Sequence, residues 1–444
     1  MTKNMIIGIG AFAAAGAQAR AWQLPEVSSK TYPDFEGQNR VAQIAEKGKF
    51  HFLFYGDFPG SVPTSNEDAP QMTVDPLISI ASAAAHTSHV GFAATMATEW
   101  HTPFTIARQF KALDALTGGR TAWNAVTGSS PQAASLYGKT IPSSPERYGR
   151  AQEFVQIVQS FWGSWGKDAF DAADGKRIFA DYSKVERLSL HGQYLSAQGS
   201  LPIPPTPQGQ PVMFHSGGSP NSIAFAGRYA DVYITEVWDP AQAAEQRRQL
   251  REAAVAAGRE ADDVKFIVGL MPTIADSKRE ALDQHAYFME PKYRQQVRYL
   301  SMFFNTPLTE ADLDKPLSAE ALEQAKHAQV GDPRQGIALK VAQEGWSIRD
   351  IINHSVIDYH PGVQGTAQDV VDHMVQWYEA EAADGFWLLP DTHDVALTRF
   401  VDEVVPLLQE KGLFHQDYEG TTLRENLGLR EQYGVDPRIL QEGK

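Results

Sequence analysis

A chain of 444 residues, 43% hydrophobic and 10% aromatic, has the apolar material for a large core, and its length suits either two or three average domains or one barrel-sized unit. Its formal net charge of −15 offers nothing to nucleic acid or to an anionic membrane surface, and no Lys/Arg run supplies a local basic patch. The absence of cysteine removes disulfides, thiolate metal sites and cysteine nucleophiles together.

Lys3, the apolar run Met5 to Ala15 and the small residues Ala17-Gln18-Ala19 imitate a secretory signal with its cleavage site. Against this, the run is glycine-rich and Trp22 follows without a polar spacer, so Met5 to Phe12 reads equally well as a first barrel strand. Helical spacing over Phe35 to Lys47 stops at Gly48, ahead of the apolar run Phe50 to Tyr55. An acidic residue just beyond a buried strand is costly unless it is paired or working, which makes Asp57 a site candidate; a loop cap is the plainer alternative. A helix near Val74 to His86, a strand Val90 to Thr95, a helix Pro103 to Thr117 and a strand Thr121 to Val126 follow. Four such repeats without a returning hairpin are the pattern of a parallel sheet. No stretch reaches the ~20 apolar residues of a membrane-spanning helix.

The strand after Gly118-Gly119 empties into a Ser/Thr/Gly loop at the carboxyl end of a parallel strand, where α/β proteins bind ligands. Asn124 and Thr127 would offer an amide and a hydroxyl there. Ser143-Ser144-Pro145-Glu146 reads as a capping box opening a helix that runs to about Trp165, with Arg147 and Tyr148 in its first turn. A helix amino end with these groups is either a phosphate site or an ordinary solvated first turn. Residues 166–210 break the rhythm with a hairpin around His191 to Tyr194 and the proline-dense run Pro202 to Pro211. Val212 to His215 resumes as a strand and enters Ser216-Gly217-Gly218-Ser219-Pro220, a second candidate phosphate loop.

Asp231 to Thr235 and Val264 to Met271 are further strands, separated by an amphipathic helix over Ala241 to Gly258. The mixed helical segment 280–360 reads as a second insertion able to close over a pocket. The rhythm returns in a helix Val370 to Ala382, a strand Gly385 to Leu389 and a helix Val395 to Lys411; the tail 412–444 shows no periodicity. Strands near 5, 50, 90, 120, 212, 231, 264 and 385 predict an α/β fold, one (β/α)8 TIM-type barrel over residues 1–444 with insertions at about 166–210 and 280–360.

A hydrolytic metal barrel would carry convergent histidines, often on the first strand, which here has none. No Gly-x-Ser-x-Gly elbow, P-loop or strand-linked Gly-x-Gly-x-x-Gly appears. What remains is a barrel with phosphate-anchoring loops and aromatics near its mouth, which suits a phosphorylated cofactor that brings its own chemistry.

Ala21-Trp22 with Pro25, Gly48-Lys49-Phe50, Thr87-Ser88-His89-Val90-Gly91, Ala107-Arg108-Gln109-Phe110, Gly119-Arg120 with Trp123-Asn124, Arg147-Tyr148, Ala383-Asp384-Gly385-Phe386 and the run Phe400 to Gln409 ending in Gly412-Leu413-Phe414 span almost the whole chain in order. With these pieces it resembles the flavin-dependent monooxygenases of the bacterial luciferase superfamily, in the branch of nitrilotriacetate monooxygenase component A and dibenzothiophene-sulfone monooxygenase. The resemblance favours the strand reading of the amino terminus and implies a cytoplasmic, FMN-using enzyme fed reduced FMN by a separate flavin reductase, acting on a small organic nitrogen- or sulfur-containing substrate as a homodimer or homotetramer. Carried over by position, the cofactor contacts are Asp57, Thr95, Asn124, Ser144, Arg147, Tyr148, Gly218 and Ser219. The substrate-pocket candidates are Trp22, Trp100 and Trp387, aromatics near the mouth, and His215. Each tryptophan taken singly reads equally as packing. Two departures matter: the family's histidine pair after the first strand falls on Ala17 and Gln18, and its histidine four before the tyrosine falls on Ser144. The lost pair leaves open a flavin or deazaflavin hydride-transfer enzyme, or a flavin-binding protein without turnover.

Overall fold

Short runs of β-branched and aromatic residues between glycines and polar loops form strands because their side chains pack on both faces of a pleated sheet. The computed structural model describes residues 4–11, 15–27, 34–60, 62–63, 65–72, 74–170, 178–328 and 330–436. Its strands are β1 (Ile6–Gly10), β2 (Phe52–Tyr55), β3 (Gly91–Thr95), β4 (Thr121–Asn124), β5 (Leu188–His191), β6 (Ser196–Gly199), β7 (Val212–Ser216), β8 (Val232–Thr235), β9 (Lys265–Ile274), β10 (Gly362–Gly365) and β11 (Gly385–Leu388). Parallel pairing runs β11-β1-β2-β3-β4-β7-β8-β9, and β9 pairs back to β11, with Ile6 opposite Gly385 and Ile267 opposite Gly385. The sheet is thus a closed parallel barrel surrounded by helices, built from all eight strands expected from the sequence.

Alternation fills the barrel. Phe52 and Phe54 of β2 point inward to meet Phe214, Ile234 and Ile267, while Leu53 and Tyr55 face the helices. On β1, a Cβ at Gly8 would lie 2.3 Å from the Phe52 ring, so only glycine there leaves room for that phenylalanine. Ile6–Gly10, with buried Met5 ahead of it, is therefore a core strand of the barrel. No helix among the described residues is long and apolar enough to cross a membrane.

Two expectations need correction. The helix over Val395 to Lys411 is not continuous: Phe400–Val404 is π-helical, because Pro406 has no amide hydrogen to give to the preceding turn and its ring crowds the carbonyl there. The second insertion returns through a strand that the sequence reading missed, β10, which pairs with the outer half of β9. Between β9 and β10, helices Lys278–Met289, Tyr293–Phe303, Ala319–His327, Arg334–Gln343 and Ile348–Asn353 bury a core of their own, into which Ala21 of the loop after β1 is also packed. Within the first insertion, β5 and β6 form the expected hairpin, and 171–177 lie outside the described residues.

The tail, without visible periodicity, is ordered through residue 436 and closes the amino end of the barrel. Leu423 and Leu427 of a single helical turn join the interior cluster, Leu423 N donates to Gly119 O at 2.9 Å, and the Arg424 guanidinium reaches Asp231 at 2.9 Å. Leu423 is fully buried, and a Cβ at Gly91 would come within 2.5 Å of it. Truncation to Leu423→Ala should therefore cost about 2–5 kcal/mol of unfolding free energy. The check is urea denaturation, with a fall in midpoint at an unchanged m-value.

Candidate active site

Parallel closure puts every strand's carboxyl end, and the loop that follows it, at one rim. There the Asn124 side-chain amide donates to Thr95 Oγ1 at 2.9 Å and its carbonyl oxygen accepts from Ser216 Oγ at 3.1 Å, so one chain of hydrogen bonds joins the ends of β3, β4 and β7. Asp57 follows β2 on the same arc. Partial burial, with Asp75 adding a like charge, raises its carboxyl to about 6, and no lysine or arginine among the described residues pairs with it.

The two candidate phosphate loops converge. Helix Ser144–Trp162 starts without a side-chain cap, so the expected capping box is absent and its first amides stay free. The sequence pattern permits a capping box, but the Ser143 torsions decide whether its hydroxyl turns inward. Helix Pro220–Tyr229 is capped by Ser219, whose hydroxyl accepts from Ser222 N at 3.2 Å. Asn221 Nδ2 reaches Ser144 Oγ at 3.4 Å across the gap, and the Tyr148 ring packs edge-on against His215 and Phe225. Arg147 Nη1 donates to Pro142 O at 2.7 Å while its enclosed Nε has no partner. Around Gly218 there is open space, leaving its backbone approachable. Two helix starts, a guanidinium and a glycine-serine loop fit a phosphate group.

The substrate-pocket candidates divide. His215 faces the helical layer, since Phe214 beside it fills the barrel. Its Nδ1 pairs with Ala125 O at 2.6 Å and its Nε2 with Ser222 Oγ at 2.9 Å, so both nitrogens are committed, and burial lowers its pKa to about 4. It therefore braces the candidate phosphate loop from behind. Trp22 lies half-exposed on the loop after β1, its Nε1 donating to Glu67 O at 2.9 Å. Trp100 stacks on Tyr137, and Gly128, at φ +74°, passes beneath its indole, where a Cβ would be 3.0 Å away. Trp387 alone of the three reaches into the barrel, edge-on to Phe54 at 5.0 Å and clustered with Ala17, Met72, Met271 and Leu389.

Ala17 and Gln18 part company. Ala17 lines that apolar cluster, whereas Gln18 turns into a buried polar network that no motif announced. Its Nε2 donates to Asp391 Oδ1 at 3.2 Å, and Thr273 Oγ1 donates to Asp391 Oδ2 at 2.6 Å. Fully buried His285 of the insertion places Nδ1 3.1 Å from Thr273 Oγ1 and Nε2 2.9 Å from Ser355 Oγ, with Asp391 and Asp358 carboxylates each 3.4 Å away. Gln364 of β10 completes it by donating to Ser355 Oγ at 2.8 Å. The available signal was Asp391, an acid just beyond a buried strand as Asp57 is; its partner lay more than a hundred residues away in sequence.

This barrel, with its polar rim and paired helix starts, belongs to the luciferase-like monooxygenase family, whose profile matches residues 10–384. The chain is a flavin-dependent monooxygenase. It is 33% identical to N-acetyl-S-(2-succino)cysteine monooxygenase of Bacillus subtilis (strain 168), over 97% of this chain and 98% of that one. To nitrilotriacetate monooxygenase component A of Aminobacter aminovorans, the branch expected from the sequence, it is 30% identical over 96% and 97%. Among solved structures, a riboflavin lyase with modified FMN and riboflavin superposes with a TM-score of 0.77 at 28% identity, each chain covered in full.

Burial alone would strip His285 of its proton, but Asp391 and Asp358 hold it on and raise its pKa to about 9. An unfolded-chain histidine titrates near ~6.5, so the folded state binds this proton more tightly. The stabilisation is fully present below about pH 6.5 and is lost as the pH rises through about 9. Denaturation of wild type and His285→Gln across this range should show the wild type losing the excess stability that the variant, unable to carry the charge, never has.

Proposed function

We propose that the chain binds reduced FMN across the mouth of the barrel and places one oxygen atom from dioxygen on a small organic substrate, with the reduced flavin delivered by a separate reductase. The convergence of the two helix starts, one lacking a side-chain cap, is the observation that carries this reading. Arg147, Tyr148, Ser144, Gly218 and Ser219 would hold the phosphate, and Asp57, Thr95 and Asn124 would meet the polar edge of the ring. When bound, the flavin supplies the electrons and the site of oxygen activation. The protein's own part is positioning: the Thr95-Asn124-Ser216 chain fixes an amide toward the ring, His215 holds the phosphate loop, and the insertion keeps water from the mouth. Relatives named as a component A and as FMN-bearing enzymes support the cofactor and the two-component arrangement. A cytoplasmic location and a homo-oligomeric assembly are part of the proposal.

Charge-assisted hydrogen bonds contribute roughly 1.5–3 kcal/mol, and 1.4 kcal/mol is about tenfold in affinity. Arg147→Ala should therefore weaken FMN binding by roughly ten- to a hundredfold while leaving riboflavin, which lacks the phosphate, nearly unaffected. Fluorescence titration with both flavins checks this, and an equal loss for both would remove the phosphate assignment. The purified chain with NADH and FMN should oxidise no NADH until a flavin reductase is added. Rapid NADH oxidation by the chain alone would contradict the two-component reading.

A further inference from the structure

In the closed strand order, β9 and β11 lie directly across the barrel from β3 and β4, so the wall facing Thr95 and Asn124 is built by β9, β11 and the loop after β1. Its composition differs from the polar arc opposite. Ala17, Met72, Met271, Trp387 and Leu389 form one apolar cluster. Gly269 shares the inward face of β9 with Ile267, and the space its missing side chain leaves is taken by His360, delivered from the exit of the insertion. A Cβ at position 269 would sit 2.1 Å from His360 Nδ1. The imidazole stands edge-on to Trp387 at 5.3 Å and is 4% exposed.

Two polar atoms on this wall are enclosed and unsatisfied: Trp387 Nε1 and His360 Nδ1. Buried donors are nearly always paired, and because His360 Nδ1 is closed off by the Gly269 backbone, it is the Trp387 indole N–H that points to a ligand at the barrel mouth. With Nδ1 packed against the Gly269 backbone, the imidazole has only Nε2 to offer, and burial holds the ring neutral, its pKa lowered to about 4. The named side chains include no lysine or arginine. Behind them, the Asp391 and Asp358 carboxylates occupy the His285 cation, so it has no charge to spare for a ligand. An anionic group on this wall would lose its hydration and find no free cation among these side chains.

We infer that this wall is the substrate's side of the mouth and takes an uncharged, apolar molecule bearing one hydrogen-bond-accepting oxygen, its body on Met72, Met271 and Leu389 and its oxygen on the Trp387 indole N–H, with His360 beside it. Polarisable methionines and an indole suit organosulfur groups. The inference rests on the flavin reading for the reaction but not for the binding, and it separates this chain from relatives named for polycarboxylates such as nitrilotriacetate.

The test uses the full-length, flavin-free protein, with methyl phenyl sulfoxide as the uncharged probe and nitrilotriacetate as the charged one, each followed by saturation-transfer NMR titration. The sulfoxide should bind saturably, lose about five- to tenfold in affinity in Trp387→Phe, which keeps the ring but not the donor, and lose binding in Ala17→Trp, which fills the cluster. Nitrilotriacetate should show no saturable binding. The inference is overturned by saturable nitrilotriacetate binding that Ala17→Trp removes, by absent sulfoxide binding, or by sulfoxide binding that Trp387→Phe leaves unchanged. Should Ala17→Trp fail to fold, Trp387→Phe alone decides. FMN titration of the same proteins is read separately: loss of FMN binding in wild type would sink the flavin reading while sulfoxide binding still judged the wall.

Discussion

The hydrogen bonds that join β1 to β11 turn a curved parallel sheet into a barrel, and every feature of the mouth depends on that closure. An open sheet would carry Thr95, Asn124 and Ser216 along one edge and Trp387 and Met271 along the other, too far apart to enclose a ring system. Closure brings them face to face and gives the mouth two unlike sides: a polar arc after β2, β3, β4 and β7, and an apolar wall after β9, β11 and β1. The packing that permits it is modest in chemistry. Gly8 yields its place to the Phe52 ring, Gly269 yields its place to His360, and the tail seals the opposite end with Leu423 and Leu427.

A buried polar cluster is one of the places where the insertion between β9 and β10 meets the barrel. His285 reaches out of its helix to carboxylates from the β11 loop and from the insertion's own exit, and Gln18 and Gln364 bind the same cluster from β1 and β10. A buried ion pair need not add net stability, because desolvation offsets much of the attraction. It does specify geometry: the cluster is satisfied only when the insertion sits where His360 enters the mouth. Of the two adjacent loop positions, Ala17 is a small apolar wall residue and Gln18 holds that clamp.

Local physics made the barrel readable. Phe52 to Tyr55 had to be a strand because its apolar run is short, bounded by Gly48 and Gly56 and rich in aromatics, and the repeat of strand, glycine and amphipathic helix left few other folds. The helix starts at Ser144 and Pro220 were legible because proline in a first turn after serine is a strong local signal. What stayed hidden was decided at long range. A four-residue helix such as Leu423–Asn426 is too short to show periodicity, and only the barrel bottom gives Leu423 and the following Leu427 a purpose. His285 and His360 lie in a segment whose sequence describes its own helical core but not where that core docks. Nor could the orientation of Gln18 and Ala17 be read, since adjacent residues on a loop may take opposite sides.

A crystal structure of the chain with FMN is the most direct measurement of where the cofactor lies. The expected result has the phosphate in the gap between the helix starts at Ser144 and Pro220, within hydrogen-bond reach of Arg147 and the amides of Gly218 and Ser219. The ring would then lie between the Thr95-Asn124 arc and the wall of Trp387 and Met271. A phosphate bound elsewhere, with the ring outside the mouth of the barrel, would contradict it.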